Sequence, residues 1–459
     1  MNPDILSGFF QATMASTLGA TAIGSLLGLI VGMIPGMTIS TGIIIVLPLT
    51  FVLPPDISIA LLLGLYVSGM TGGSFSAILL NIPGTPSASA TAIDGHPLAG
   101  SGDAGRALGI AVSASFVGGL FSFLCLFFIA PQLADIALQF QAPDLFSLVL
   151  FGLTIICSFA ARSLIKGLLS AVIGLMIVTI GQDPMMGTQR FTFGQLNLVE
   201  GIHFLTALIG LFAIPQLVDN FSDMVRKRGE VHPARQFGSV LPKLADLRRI
   251  RLPVFIGAPI GAFLGILPGA GGPIAAFISY DYARKANKNP ETFGKGAPEG
   301  IAAPEAANNA VTGGALIPMM TLGIPGDAVT AIMIGALFIH GLNPGPMLMI
   351  DQPDMFWFIV GALVTANFFM LLFGLTGIRL FTRIVEMPRS VLIPLIMLLS
   401  IVGAYAVNNS LTDVYWMLGF GVFGYFMRHY GYPLGPVILG VILSRLLDDN
   451  WRRAIISER

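Results

Sequence analysis

Gly32-Met33-Ile34-Pro35-Gly36, Thr71-Gly72-Gly73 and Asn81-Ile82-Pro83-Gly84-Thr85 follow one another in the first half of the chain. Gly265-Ile266-Leu267-Pro268-Gly269, Thr312-Gly313-Gly314 and Gly323-Ile324-Pro325-Gly326-Asp327 follow in the same order in the second. Thr71 lies twelve residues before Pro83, and Thr312 thirteen before Pro325. Each Pro removes an N–H and ends the helix before it, and each Gly lets the backbone turn and come close to a ligand. Lipid tolerates irregular backbone only where it is buried in protein or lines a cavity. Matched breaks in two apolar halves therefore point to the binding site of a membrane transporter.

Composition supplies the apolar setting. The 459 residues are 54% hydrophobic and 10% charged, with a mean hydropathy of +0.83. Soluble domains carry about 25% charged residues, so the chain is read as an all-α polytopic membrane protein. Lys+Arg 24 balances Asp+Glu 24, and nothing in that balance points to a nucleic-acid partner. Placement says more. No Lys or Arg precedes Arg106, and the stretch from Arg226 to Arg251 is dense in both. The positive-inside bias puts this loop in the cytoplasm. The start, Met1 to Phe10, has no positive region of the kind that opens a cleaved signal peptide. Cys125 and Cys157 sit in apolar runs and read as small buried hydrophobes.

Spanning helices of about 20 apolar residues are expected over 105–130, 143–161, 163–181, 199–222, 355–378, 390–406, 411–427 and 433–447. Residues 18–34 and 39–53 flank Pro35-Gly36, and 252–267 and 273–283 flank Pro268-Gly269. Each pair reads as a helical hairpin with a Gly-rich tip. Residues 57–80 and 304–323 run into the Ile-Pro-Gly breaks. Later correspondences, Pro143 with Pro388 and Ser163 with Ser410, extend the match over the whole unit. The expected division is an N-terminal segment (1–17), transmembrane repeat 1 (18–222), a basic cytoplasmic linker (223–251) and transmembrane repeat 2 (252–459). Arg106, Arg162 and Lys166 in the first half, and Arg379, Arg383 and Arg389 in the second, place 105–130 and 355–378 in opposite directions. The two halves are read as inverted repeats. Arg452, Arg453 and Arg459 run against this bias, because the inversion puts them outside.

The helix after each break opens with N–H groups and the positive end of a helix dipole, which suit a carboxylate. Thr85 and Ser87 follow the first break, and Thr330 follows the second. Orphan carbonyls of the preceding helix suit Na⁺. Thr71 and Thr312 lie in small-residue tracts that either approach a ligand or pack helices closely. Of the nearby acids, Asp327 reads as a functional intramembrane carboxylate or as a helix N-cap. Asp94, Asp281, Glu299 and Glu305, near the hairpins and breaks, are likewise functional candidates as intramembrane acids; for Glu299 and Glu305, which flank Pro304 in a polar, Ala-rich stretch, the alternative is a solvated loop. Asn308 and Asn309 read as Na⁺ ligands or as interhelical glue. Walker A spacing, metal-ligand histidine spacing and a dinucleotide fingerprint are all missing, so the reading is of a transporter and not an enzyme.

The Gly32–Gly36 run, Asn81-Ile82-Pro83-Gly84-Thr85-Pro86-Ser87-Ala88, Asp94-Gly95-His96-Pro97, Pro268-Gly269-Ala270-Gly271 and Gly323-Ile324-Pro325-Gly326 resemble the large membrane subunit of the tripartite tricarboxylate transporter family (TctA type). The resemblance covers nearly the whole chain. It implies a multi-pass subunit of the bacterial inner membrane working with a small membrane subunit (TctB type) and a periplasmic solute-binding protein (TctC type). It also implies uptake of di- or tricarboxylates such as citrate, with Na⁺ or H⁺ coupling and no other cofactor, and by analogy an elevator-type motion. The expected substrate residues are Thr71, Asn81, Gly84, Thr85, Pro86, Ser87, Thr312, Gly326 and Asp327. The expected cation ligands are Asn308, Asp327 and backbone carbonyls at Gly36, Gly84, Gly269 and Gly326. The alternative is a passive channel or a membrane scaffold whose breaks only bend helices.

Overall fold

A computed structural model describes residues 3–34, 37–160, 163–183, 186–226, 240–377, 381 and 389–457. Gly36, Arg162, Arg379, Arg383, Arg459 and the middle of the basic linker lie outside the described residues. Within them, regular structure is helical except for a short hairpin, β1 (Gly181–Gln182) against β2 (Gln189–Arg190). The all-α reading holds. Five helices are long and apolar enough to cross a membrane. Phe128, Phe151, Phe255, Phe263 and Phe426 stand exposed on helix surfaces. In lipid such faces need no partner.

The first half runs α1 (Pro3–Ala12), α2 (Ala15–Met33), α3 (Ile39–Val46), α4 (Pro55–Leu80), α5 (Ala88–Leu98), α6 (Ala104–Ala137), α7 (Ala142–Ala160), α8 (Leu164–Val178) and α9 (Phe204–Arg226). The second runs α10 (Leu244–Ile266), α11 (Gly271–Ala286), α12 (Pro298–Leu322), α13 (Ala328–Ile339), the single turn α14 (Leu348–Asp351), α15 (Pro353–Thr376), α16 (Arg389–Asn408), α17 (Leu411–His429) and α18 (Leu434–Ser457). Helices α4 and α12 are buried on nearly all sides, as expected of helices apolar all round. Both start with Pro in the first turn and stop at a left-handed residue, Asn81 (φ 55°) and Gly323 (φ 71°). The Ile-Pro that follows each cannot continue a helix.

One packing pattern occurs twice. On α2, Gly24, Gly28 and Gly32 lie against the backbone carbonyls of Leu61, Leu65 and Gly69 on α4. On α10, Gly257, Gly261 and Gly265 lie against those of Ala303, Ala307 and Val311 on α12. A methyl group at any of the six would strike a carbonyl, so only glycine lets these backbones meet. The breaks close the same way. Gly84 beds on the Gly32 carbonyl and the Gly73 backbone, and Gly326 on the Gly265 carbonyl and the Ala315 backbone.

This seam corrects the alignment read from sequence. Gly73 matches Ala315, and Asn81 matches Gly323. Thr71 therefore matches Gly313, and Thr312 matches Met70. The glycine–carbonyl contacts set the register, and they stand one residue out of step with the Thr-Gly-Gly identity. Packing also crosses between halves: α6 lies on α12 and α15 on α4, while α7 and α8 lie on α18 and α16 and α17 on α9.

A second correction concerns Glu299 and Glu305. The loop expected around Pro304 is part of α12, and both carboxylates are buried. Pro298 occupies the first helical position, where its missing N–H is harmless, so the helix starts well before Pro304.

Candidate functional site

Four helices begin at one cavity of about 450 Å³. Thr38, Ile39 and Ser40 reach it from the start of α3, and Thr85, Pro86 and Ser87 from the approach to α5. Gly269 to Ile274 reach it from the start of α11, and Asp327 to Val329 from α13. The start of α3, the second hairpin tip and the two breaks are thus brought together. Met70 of α4, Phe212 of α9 and Gly435, Ile438 and Leu439 of α18 complete the wall. Among the described residues, no Lys, Arg or His lines it.

The four N-termini are not equivalent. Thr38 caps α3 with a neutral hydroxyl, which accepts from the Thr41 N–H at 3.1 Å. Asp327 caps α13 with a carboxylate. Its Oδ1 accepts from the Thr330 N–H at 2.8 Å and from the Thr330 hydroxyl at 2.9 Å. Its Oδ2 accepts from the Tyr66 hydroxyl at 2.6 Å. The positive end of α13 is therefore already met by a negative group. Helices α5 and α11 have no side-chain cap. The first N–H groups of α5 reach back to Thr85, Pro86 and Ser87 carbonyls at 3.1 to 3.3 Å, long contacts that a carboxylate oxygen can replace. Thr85 and Ser87 hydroxyls lie 3.2 Å apart beside them.

Asn308 reaches the same corner from α12. Its Nδ2 donates to the Met70 carbonyl at 3.0 Å, so its oxygen is turned the other way. That Oδ1 is buried without a hydrogen-bond partner. It lies 2.6 Å from where a side chain on Gly272 would begin, and the Ser87 Cβ lies 3.4 Å from that point. The corner between α5 and α11 thus combines two uncapped helix starts, two hydroxyls and one free carbonyl oxygen.

A family model, described as the tripartite tricarboxylate transporter TctA family, matches residues 18–439. The chain belongs to the TctA family. A protein of Agrobacterium vitis described as an uncharacterized 52.8 kDa protein in the TAR-I ttuC' 3' region is 40% identical over 417 residues, 91% of this chain and 82% of the relative. A second, described as an uncharacterized protein in the TAR-II ttuC' 3' region of the same organism, is 39% identical over 199 residues, 43% of this chain and 82% of that relative. No solved structure matches. A TctA protein is a component of a tripartite transporter, so it works with partner subunits, and its helices make it a multi-pass membrane protein.

Within this TctA protein the expected site residues separate. Thr85, Pro86, Ser87, Gly269 and Asp327 line the cavity. Gly84 and Gly326 lie behind it in the packed seam, and the Gly326 carbonyl accepts from the Gly269 N–H at 2.8 Å. Asn81 is exposed, away from the cavity, and its left-handed backbone ends α4. Thr71 and Thr312 are buried: Thr71 pairs with the Asn309 amide at 3.0 Å, and Thr312 donates to the Asn309 carbonyl at 2.7 Å. Asn309 serves as glue between the halves. Thr38, Ser40, Met70 and the α9 and α18 wall were missed. Thr38 precedes the apolar run of α3 and is legible as an N-cap. The wall carries no local signal.

Proposed function

We propose that this subunit takes up an organic di- or tricarboxylate by cation symport, and that one carboxylate of the substrate sits between the starts of α5 and α11. The observation that carries this reading is the convergence of four helix N-termini on one cavity in which none of the described lining residues is basic. A helix start favours an anion by about 0.3–1 kcal/mol when exposed, and by up to about 2 kcal/mol when partly buried. Thr85 and Ser87 add hydroxyl donors. Asp327 already neutralises the fourth helix, which leaves the first break as the anion half of the site. Asn308 Oδ1 supplies an acceptor in the same corner, for a substrate hydroxyl or a bound cation.

The paired glycine seams support a duplicated unit, and the charge placement supports its inversion across the bilayer. In this arrangement the breaks meet near the midplane and an elevator-type movement carries the cavity from one side to the other. The subunit belongs in a bacterial inner membrane, receiving substrate from a periplasmic binding protein beside a small membrane partner. The test is accumulation of radiolabelled citrate, delivered by the purified binding protein to proteoliposomes holding the complex, under an inward Na⁺ or H⁺ gradient. Thr85→Val is expected to reduce uptake strongly at equal expression. Accumulation under neither gradient contradicts symport, and unchanged uptake in the variant favours a passive or scaffolding role.

A further inference from the structure

The buried carboxylates among the described residues are held in two ways. Asp94 Oδ1 accepts from the N–H groups of Gly294, Gly296 and Ala297 at 2.8 to 2.9 Å, and its Oδ2 accepts from the Tyr280 hydroxyl at 2.8 Å. Asp246 pairs with Arg106, Asp183 with Arg190 and Arg452, and Glu299 with Arg249 at 2.9 and 3.1 Å. Asp413 accepts from the Asn408 amide at 3.0 Å. Each has at least one partner that can only donate.

Glu305 differs. It is fully buried on α12. Its Oε1 accepts from the Thr91 hydroxyl of α5 at 2.6 Å, and its Oε2 accepts from the Ser115 hydroxyl of α6 at 2.9 Å. The Ser74 hydroxyl of α4 donates instead to the Thr71 carbonyl at 2.7 Å. Among the described residues, every hydrogen-bond partner of Glu305 is a hydroxyl. A hydroxyl both donates and accepts, so the same two groups satisfy the carboxylate and the carboxylic acid. When a proton joins Glu305, its new O–H donates to Thr91 or Ser115. The hydrogen so released can turn to the carbonyl one turn back on its own helix.

The titratable groups of the surrounding helices are committed elsewhere. Tyr66 of α4 bonds Asp327, His96 of α5 bonds the Ile78 carbonyl, and Tyr280 of α11 bonds Asp94. Arg106 of α6 and Arg249 of α10 hold Asp246 and Glu299. Asp135, Arg248, Arg251, Asp281, Tyr282, Arg284 and Lys285 are exposed, Asp56 is half-buried in the first turn of α4, and the free Cys125 of α6 packs against Ala258, Ala262 and Ala310. None of these groups bonds Glu305. Packing does not call for the carboxylate either, because the matching position in the first half is the buried Leu63. An intramembrane acid is costly and marks an ion or proton path. Thr91 lies one turn beyond Ser87, so the group that grips Glu305 rides on the short helix whose start faces the substrate.

We propose that Glu305 carries the coupling proton, taking it up with the substrate and releasing it on the far side of the membrane. This rests on the symport reading above and gives the coupling ion its residue. The first measurement is the pH-difference infrared spectrum of the full chain in lipid, which shows a carbonyl band for any carboxyl that gains a proton. The second is citrate transport by the complete complex in proteoliposomes. One proton per citrate sets about a tenfold accumulation for each pH unit of gradient.

The unaltered chain is expected to give a band that Glu305→Gln removes. The variant complex is expected to keep citrate counterflow and lose the tenfold accumulation, which Glu305→Asp restores. Survival of the band in Glu305→Gln, pH-driven accumulation unchanged by that substitution, or accumulation driven in both proteins by Na⁺ alone overturns the proposal. If the unaltered complex accumulates no citrate under either gradient, the symport reading fails instead, and the band still decides whether Glu305 exchanges a proton.

Discussion

The two breaks share a backbone and differ in what stands at its end. Gly84 and Gly326 press into the same seam, and Asn81 and Gly323 end their helices in the same left-handed conformation. The next side chain separates them. Thr85 leaves the start of α5 without a cap, whereas Asp327 closes α13 and is itself gripped by Tyr66 and Thr330. A duplicated scaffold thus carries two electrostatic settings: one helix start open to an anion, and one already holding its own.

The strongest way to break this comparison is to make the halves alike. Thr85→Asp turns the first break into a copy of the second and sets a fixed carboxylate against the bound one. At about 4 Å and an effective dielectric near 20 the repulsion is about 4 kcal/mol, roughly a thousandfold in affinity. Citrate uptake against concentration is expected to show no saturation in any accessible range, with folding retained.

The seam is where the halves are expected to agree. Gly84→Val and Gly326→Val each drive a side chain into a backbone carbonyl, and overpacking of this kind costs about 1–3 kcal/mol. Thermal unfolding in detergent should fall by similar amounts for the two, and a large inequality contradicts the matched register. Asp327→Ala removes an N-cap worth about 0.5–2 kcal/mol and orphans the Tyr66 hydroxyl. It is expected to lower thermal stability measurably, whereas Thr85→Val lowers uptake with little change in stability. Asn81→Gly is the smallest change. Its side chain is exposed and glycine accepts φ 55° freely, so stability is expected to stay within about 0.5 kcal/mol and uptake at the level of the unaltered protein.

Much of this was legible because the breaks are written in residues with strong local consequences. Pro83 and Pro325 must end helices, and the Gly-rich tip at Gly269 and Gly271 must turn, so both breaks and the second hairpin followed from sequence alone. What sequence hid is set by distance. The Thr-Gly-Gly identity suggested a register that the contacts of Gly32 and Gly265 override. Glu305 sits among alanines and a proline, which leaves a solvated loop and a functional acid both open until Thr91 and Ser115 are seen meeting it from two other helices. Phe212, Gly435, Ile438 and Leu439 meet the cavity only through the crossed packing of α9 and α18. The choice between a capping and a ligand-facing Asp327 needed Tyr66, far away in sequence, to be placed against it.

The most direct test is an electron cryomicroscopy map of the full chain in lipid with citrate bound. Carboxylate density is expected between the start of α5 and the start of α11, within hydrogen-bonding distance of Thr85 or Ser87 and clear of Asp327. Citrate density seated on the start of α13, or outside the cavity altogether, would contradict the division of labour between the two breaks.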